Sequence, residues 1–381
     1  MGPEFLLYGY GLVCLSMLAF NLIYSLHLRS DERRLQRRAA ALADQVEQQV
    51  RELRVAGLGP QGQARQARDL TWMRRRLARV NYLLAFDRFL DTREDDPALA
   101  AYLQELQPVL LELAAVYRKR EDTQAAYYCH FLSRRWHRFH LAPGQIQKVI
   151  LSYLEKNSLY CRINALKALC VFGEPETLVR ALLELGRAES TPLHEKVITE
   201  ALLTYPGDSR ALIDRLWDRF DRFPLAIQRA VLDYIRFASG EDPQPMEGIL
   251  RDPHRNQELR FAAIRYFGKY PNAGVEDILL DFLRDPDPLH WEYAAISASA
   301  LAGYPGQAVV EALLQACGNP NWYVRYNASA SLEAHGLPLE QLLPVLKGSD
   351  RYAREILSYR LKTKQMWTPA EDSGEKVTAK V

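Results

Sequence analysis

The sequence predicts an all-α protein in which one N-terminal transmembrane helix precedes a superhelical α-solenoid of repeated helix pairs. Two observations carry this prediction. Residues 5–28 form an uncharged apolar run, and the carboxy-terminal two thirds of the 381-residue chain repeats the same turn sequences at a nearly constant period. Between these turns no window alternates apolar and polar residues as a strand does, so the paired apolar stretches indicate helices.

The run from Phe5 to Leu28 is long enough to serve as a single-pass membrane anchor. At about 1.5 Å per residue it makes a helix of roughly 36 Å, against a hydrocarbon core of about 30 Å. A cleavable signal peptide fits poorly, because Glu4 precedes the run and Arg29, rather than a small residue, follows it. We therefore expect the anchor to be retained.

Basic residues lie on only one side of the anchor. Residues 29–93 contain 15 Arg and 8 acidic residues, whereas no Lys or Arg precedes Phe5. Because basic flanks stay on the cytoplasmic side, the amino terminus is predicted outside and residues 29–381 in the cytoplasm. The five cysteines form no close pair and no metal-binding spacing, which agrees with a reducing compartment.

Asn21 lies inside the predicted span, where an unpaired amide is costly. Two interpretations stay open. The amide pairs with another membrane helix, at about 1 kcal/mol, or it lies near the interface within reach of Ser25 and His27.

Residues 29–62 are predicted to form a juxtamembrane helix and a linker. The helix covers 31–55, and the linker contains Gly57-Leu58-Gly59-Pro60. A thin apolar stripe on this helix predicts a weak homodimer through residues 31–55; its members are Leu35, Leu42, Val46 and Leu53.

Residues 63–139 are predicted to form a helical N-terminal cap, with a helix over 63–92 and further helices at about 97–117 and 121–139. The first of these carries a basic run beside Trp72, comprising Arg74, Arg75, Arg76 and Arg79. Basic residues held near anionic lipid contribute about 1 kcal/mol each. The run is therefore a candidate membrane contact, and the alternative is a solvated polar face.

Two turn sequences recur through residues 140–367. An Asp/Asn-Pro turn ends at Pro253, Pro286 and Pro320, at almost equal intervals, and a Tyr-Pro turn begins at Tyr205, Tyr270 and Tyr304. The predicted unit is therefore a helix, an Asp/Asn-Pro turn, a second helix and a Tyr-Pro turn, repeated about seven times. The tail, residues 368–381, is predicted to be disordered.

The second helix of each unit carries a basic residue followed by Ala and Leu. This hallmark position recurs once in each unit, with one acidic exception, at Arg162, Lys196, Arg229, Arg260, Glu292, Arg325 and Arg354. The pattern resembles the HEAT-repeat family, in its membrane-anchored bacterial type. The small Ala, as in Ala263 and Ala328, is expected at the contact between helices, and the Arg is expected to bind the preceding turn.

Charge and motifs bound the function. Residues 140–367 hold 26 basic and 28 acidic residues, which argues against a nucleic-acid partner. Catalytic motifs and cofactor-binding loops are absent, so neither a catalytic residue, a metal nor a cofactor is predicted. The ligand-type residues Cys129, His130, His137 and His140 do not share one helical face with a carboxylate, and a solvated histidine face is the preferred interpretation.

An aromatic row follows the hallmark position. The residue directly after it turns away from the intra-repeat core, and it is aromatic in Phe261, Tyr293 and Tyr326, with His290 and Tyr323 nearby. Rigid aromatic rings are typical binding anchors. Either these residues line a groove for a partner, or they pack between adjacent second helices.

These features predict a membrane-anchored cytoplasmic scaffold that binds or regulates a membrane-associated protein partner. The resemblance to anchored HEAT-repeat proteins implies a membrane glycosyltransferase system as the partner class. The alternative is an enzyme with a HEAT fold, similar to phycobilin lyases or DNA glycosylases.

Overall fold

The computed structural model describes residues 3–55, 60–93, 97–139, 144–187 and 191–367. Every regular element in these ranges is helical, and no strand occurs there. The predicted disordered tail, residues 368–381, lies outside the described residues. The chain forms two compact units, and the boundary between them falls between residues 215 and 216.

Six helices precede the predicted repeats: α1 (Pro3–Val55), α2 (Pro60–Leu77), α3 (Val80–Asp91), α4 (Pro97–Glu105), α5 (Gln107–Arg118) and α6 (Asp122–Phe139). Fourteen helices follow as seven successive pairs: α7 (Gly144–Leu151) with α8 (Leu159–Val171), α9 (Pro175–Arg187) with α10 (Glu195–Leu202), α11 (Ser209–Asp218) with α12 (Leu225–Ala238), α13 (Pro243–Arg251) with α14 (Gln257–Lys269), α15 (Glu276–Arg284) with α16 (Trp291–Ala300), α17 (Gln307–Ala316) with α18 (Trp322–His335), and α19 (Leu339–Leu346) with α20 (Arg351–Trp367).

Helix α1 runs through both the predicted anchor and the predicted juxtamembrane helix without a break. Its large apolar side chains between Tyr8 and Leu26 are exposed. Further along, Leu42, Val46 and Val50 are buried within the chain, where α1 packs on α3 and α4. The stripe expected to support a homodimer therefore has its central residues covered by the protein itself, and the dimer stays a prediction.

The predicted helix over 63–92 is two helices. Arg79 adopts an extended conformation (φ −105°, ψ 123°) at the N-cap of α3, which separates α3 from α2. The predicted helix over 97–117 is also divided, between α4 and α5, and a proline stands in the first turn of α5. Proline is favoured at that position because it has no N–H to leave unpaired.

A buried ion pair joins α3 to α6. Arg135 Nε donates to Asp87 Oδ1 at 2.6 Å, and both side chains are almost fully buried. Tyr127 Oη also donates to the same carboxylate, at 3.0 Å. A buried charge needs such partners, because removing one leaves the other desolvated and uncompensated.

Helix α6 also packs extensively on α8, the second helix of the first pair. Across the same region Tyr153 Oη donates to the Ala114 carbonyl at 2.6 Å, and Lys156 Nζ lies 2.8 Å from Asp122. The predicted cap and the first repeats thus share one core. Both lie in the first compact unit, and the predicted domain bounds stay predictions.

In the second unit, each second helix packs on the next one, from α12 through α14, α16 and α18 to α20. Two hydrogen bonds between α18 and α16 join residues about one sequence period apart. Asn327 Nδ2 donates to the Ala295 carbonyl at 2.7 Å, and Ser331 Oγ donates to the Ala298 carbonyl at 2.6 Å. Ala263 and Ala328, which the pattern assigns to the contact between the two helices of one repeat, are both fully buried.

The tyrosine of the Tyr-Pro turn binds the end of the preceding second helix. Tyr270 Oη donates to the Arg236 carbonyl at 3.2 Å, and Tyr304 Oη donates to the Phe267 carbonyl at the same distance. Each bond satisfies a carbonyl near the end of the preceding second helix, where the helix itself supplies no donor. The recurrence of Tyr-Pro therefore has a purely structural explanation.

Candidate functional site

Three hallmark arginines, Arg260, Arg325 and Arg354, bind backbone at the turn before their own helix, whereas Arg162 donates to the Thr191 carbonyl, at the turn before α10. Arg260 Nε donates to the Leu250 carbonyl at 3.0 Å, and Arg325 Nε donates to the Asn319 carbonyl. Arg325 also pairs with Asp350 at the start of α20, at 2.8 Å. These side chains hold the turns and the adjacent repeat, as the pattern predicts, and they are not free to bind a ligand.

Two residues of the predicted aromatic row lie inside the stack. Phe261 is only 3% exposed, and its ring meets Tyr293 edge-on at 4.7 Å. Tyr293 also contacts Phe282 at 4.8 Å and receives a hydrogen bond from Arg260 at 3.2 Å. Packing between adjacent repeats accounts for both rings.

Tyr326, the third aromatic residue of the predicted row, is half-buried. Its ring stacks on Trp322 at 5.0 Å, and the guanidinium of Arg360, on the neighbouring α20, lies 5.3 Å from the ring centroid. Arg360 also donates to Tyr326 Oη at 3.2 Å. Tyr326 thus supports an exposed ring while contacting the next repeat.

Tyr323 remains open to solvent, with 56% of its surface exposed. Its ring stacks on Trp291 at 5.5 Å and meets Trp322 edge-on at 5.2 Å, and Trp322 is itself 55% exposed. We call this continuous set the aromatic surface; its members are Trp291, Trp322, Tyr323 and Tyr326. Large rings held together in water are typical of protein-binding surfaces.

The turn before α16 extends this region along the chain. His290 Nδ1 lies 2.8 Å from Asp285 Oδ2, and Leu289 is 82% exposed. The backbone N–H of Asp287, together with the His290 contact, holds the pKa of Asp285 below its ordinary value. The turn is therefore ordered by its own hydrogen bonds while presenting an apolar side chain to solvent.

Trp291 and Trp322 were not predicted from the sequence as members of a binding surface. Each is the first residue of its second helix. The repeat register does not reveal them, because Trp291 stands one residue before its hallmark position and Trp322 three residues before its own. The prediction followed only the position after the hallmark residue.

The predicted membrane-contact arginines do not act as one group. Arg74 pairs with Glu112 at 2.8 Å, and Arg76 donates to Tyr82 Oη at 2.8 Å while its guanidinium lies 5.3 Å from the Trp72 ring centroid. Arg75 and Arg79 are exposed, the latter at the turn rather than on the helix. Asn21 is exposed on α1, and lipid contact by these residues stays a prediction.

The ligand-type residues of α6 are dispersed. Cys129 is fully buried, and burial raises the pKa of its thiol well above the ordinary value. His130 and His137 are exposed, and His140 lies outside the described residues. No group of three metal-ligating side chains is found in the part of the chain that the structure describes.

An open cavity of about 620 Å³ lies in the first unit, among α2, α4, α5 and α7. Four glutamine side chains, Glu105 and a few apolar residues line it. Desolvation raises the pKa of Glu105, and the nearby Asp69 carboxylate adds to the shift. This cavity was not predicted from the sequence, because its lining comes from four separate helices.

No protein-family model matches the chain, and no curated protein matches it. Among solved structures, it is similar to human deoxyhypusine hydroxylase in complex with glycerol, at 16% identity, a TM-score of 0.27, and coverage of 81% of this chain and 100% of that chain. Such a similarity carries no inference about activity. The enzymatic alternative therefore stays a prediction.

Proposed function

We propose that this protein is a membrane-anchored helical-repeat scaffold that binds a protein partner through the aromatic surface. The observation that carries the proposal is the exposed pair Trp322 and Tyr323, in which Tyr323 stacks on Trp291 and meets Trp322 edge-on. Tryptophan and tyrosine are the residues most enriched at binding hot spots, since each buries a large area at a low cost in conformational entropy.

Membrane attachment is supported by α1. The helix contains a stretch apolar enough to cross a membrane by length and composition, and this stretch is not covered by the rest of the protein. A long run of exposed apolar side chains is more stable in lipid than in water. The excess of arginine after residue 28 favours a cytoplasmic location for the bulk of the chain.

The HEAT-like class is supported by the second unit. Its helix pairs repeat at the hallmark period, the second helices pack in sequence, and Arg260 and Arg325 hold the turns that precede their helices. Each pair buries its apolar face against the next pair, and this nearest-neighbour packing is typical of an α-solenoid. The partner class suggested by the resemblance is a membrane glycosyltransferase system.

Partner capture from crosslinked membranes tests the proposal. The double substitution Trp322→Ala and Tyr323→Ala should remove the crosslinked partner, because it deletes the two exposed rings. The matched control is Leu159→Ala with Tyr160→Ala, which changes exposed residues at the same two positions of α8. Retention of the partner by the first variant would contradict the proposal, as would its loss from the control.

Orientation is tested separately with a reporter fused after Val381. A reporter that is active only in the cytoplasm is expected. Activity only outside would overturn the proposed orientation without affecting the aromatic surface.

A further inference from the structure

A second cavity, of about 480 Å³, opens on the surface formed by the second helices α12, α14, α16 and α18. We call it the basic cavity, because three of its lining residues are cationic: Arg236, Arg265 and Lys269. The remaining lining includes the polar Ser299 and Asn327 and the small Gly268 and Ala300. Its volume falls within the range of roughly 300–1,000 Å³ that is typical of small-ligand sites.

Two of the three cations have structural partners. Arg236 pairs with Asp233 at 2.9 Å and lies over the Phe237 ring at 4.4 Å, while Lys269 Nζ donates to the Arg236 carbonyl at 3.0 Å. These contacts hold both groups at the carboxyl-terminal end of α12. Even so, Arg236 Nε is buried without a hydrogen-bond partner among the described residues.

Arg265 is the third cation, and it makes no hydrogen bond or ion pair with any residue that the structure describes. Its side chain is open to the cavity. Partial desolvation lowers the pKa of its guanidinium below the ordinary value, although the Asp233 and Glu258 carboxylates oppose this shift. Its five N–H donors are therefore available to a ligand.

The charges around Arg265 do not balance. Four cationic side chains, Arg229, Arg236, Arg265 and Lys269, face two carboxylates, Asp233 and Glu258, so the local surplus is about two positive charges. Solvated arginines on a helix surface usually pair with nearby acids. Here the acids are already engaged, since Asp233 binds Arg236 and Glu258 lies 3.3 Å from Arg229.

Small residues shape the floor of the cavity. A Cβ added at Gly268 would lie 3.1 Å from Ala300 Cα, so glycine permits the close approach of α14 and α16. That approach brings Ser299 of α16 beside the cations of α14. Trp291 and Ala300 are the first and last residues of α16, so the basic cavity is roughly 13 Å along the helix from the aromatic surface.

We propose that the basic cavity binds the phosphate group of a small phosphorylated ligand, with Arg265 as its principal donor. A phosphate offers three terminal oxygens, which suit a guanidinium fork, an ammonium and a hydroxyl at once. A carboxylate from an acidic peptide offers only two, and the cavity's size fits a compact ligand better than an extended chain. The phosphate comes either from a soluble ester or from a lipid headgroup.

Binding is measured on the full chain in uncharged detergent micelles, at constant ionic strength maintained with chloride. The probes are inorganic phosphate, glycerol 3-phosphate and micelles containing phosphatidic acid, with calorimetry and thermal shift as the readouts. The wild-type protein should bind phosphate saturably. Arg265→Gln should weaken that binding about tenfold, the value of one charge-assisted hydrogen bond.

Two further variants make the test specific. Ser299→Asp places a carboxylate in the cavity and should abolish phosphate binding without unfolding the protein, because Ser299 is exposed. Arg180→Gln removes an exposed arginine from α9 and should leave binding unchanged. Equal binding by the wild type and Arg265→Gln, or no binding at all, would overturn the proposal.

The probes also identify the source of the phosphate. Tighter binding of glycerol 3-phosphate than of phosphatidic acid micelles indicates a soluble ester, and the reverse order indicates a lipid headgroup. Poly-glutamate that binds through Arg265 more tightly than any phosphate probe would overturn the phosphate assignment in favour of an acidic peptide. None of these outcomes depends on the aromatic surface.

Discussion

Trp291 and Tyr323 stack with their ring centroids 5.5 Å apart, although a whole repeat separates them in the chain. One ring belongs to α16 and the other to α18, so the packing of successive second helices brings them together. Hydrogen bonds from Asn327 and Ser331 of α18 to carbonyls of α16 hold this packing in place. The repeat therefore both builds the stack and presents its exposed rings.

The buried and exposed aromatics should differ in their effect on stability. Phe261→Ala should lower the free energy of unfolding by about 3–5 kcal/mol, because it leaves a cavity between two repeats. Tyr323→Ala should cost only about 1 kcal/mol, since the ring is largely solvated and loses mainly its stacking contacts. Chemical denaturation of the two variants measures the difference, and equal losses would show that Tyr323 belongs to the core.

The repeat register can be tested at Ala328. Ala328→Asp should cost at least about 3 kcal/mol, because Ala328 is fully buried and the repeat pattern assigns it to the contact of α18 with its repeat partner α17. Ala334→Asp is the control on the exposed side of the same helix and should cost far less. A thermal melt of Ala328→Asp that matches the wild type would show that the register is wrong.

Truncation separates the anchor from the core. Removal of residues 1–30 should yield a soluble, folded protein, because the apolar side chains described between Tyr8 and Leu26 are exposed and do not belong to the core. Removal of residues 1–55 should destabilise the first unit, since it uncovers the surface that Leu42 and Val46 bury and breaks the 2.6 Å hydrogen bond from Tyr102 Oη to Gln49 Oε1. Solubility and thermal melting of both truncations check this, and identical melting temperatures would contradict it.

Substitution of Glu105 by Gln is expected to stabilise the protein in a pH-dependent way. Its pKa is raised in the folded protein by desolvation, so the folded state binds more protons than the unfolded state, and this carboxyl destabilises the fold increasingly as pH rises above its ordinary value of 4.5. Glu105→Gln should therefore stabilise the protein at pH 7, by less than about 1 kcal/mol because the group is partly solvated. The gain should disappear below the ordinary pKa.

Denaturant titrations of the wild type and Glu105→Gln at pH 7 and pH 4 measure this difference. Glu121→Gln, which removes the same charge at an exposed position of the first unit, controls for net charge. A gain that is independent of pH would assign the effect to packing in the cavity instead of to the ionised carboxylate.

Much of the architecture followed from local patterns in the sequence. Helix pairs, the buried Ala263 and Ala328, and the arginines that bind their preceding turns were all predictable, because each depends on spacing within one helix and its adjacent turn. Helix breaks were less predictable. The division between α2 and α3 depends on an extended conformation at Arg79, and the sequence has no proline or glycine there that would have predicted a break.

Tertiary structure alone decided which rings face solvent. Tyr293 and Tyr323 lie close to the start of their second helices. Phe261, Phe282 and Arg260 contact Tyr293, whereas Tyr323 packs on Trp291 and Trp322 and stays 56% exposed. The basic cavity is a similar case, since Arg236, Arg265 and Ser299 come from three helices. Sequence periodicity specifies the face of a helix on which a side chain lies, but its exposure depends on side chains of the neighbouring repeats, which are a full repeat away in the chain.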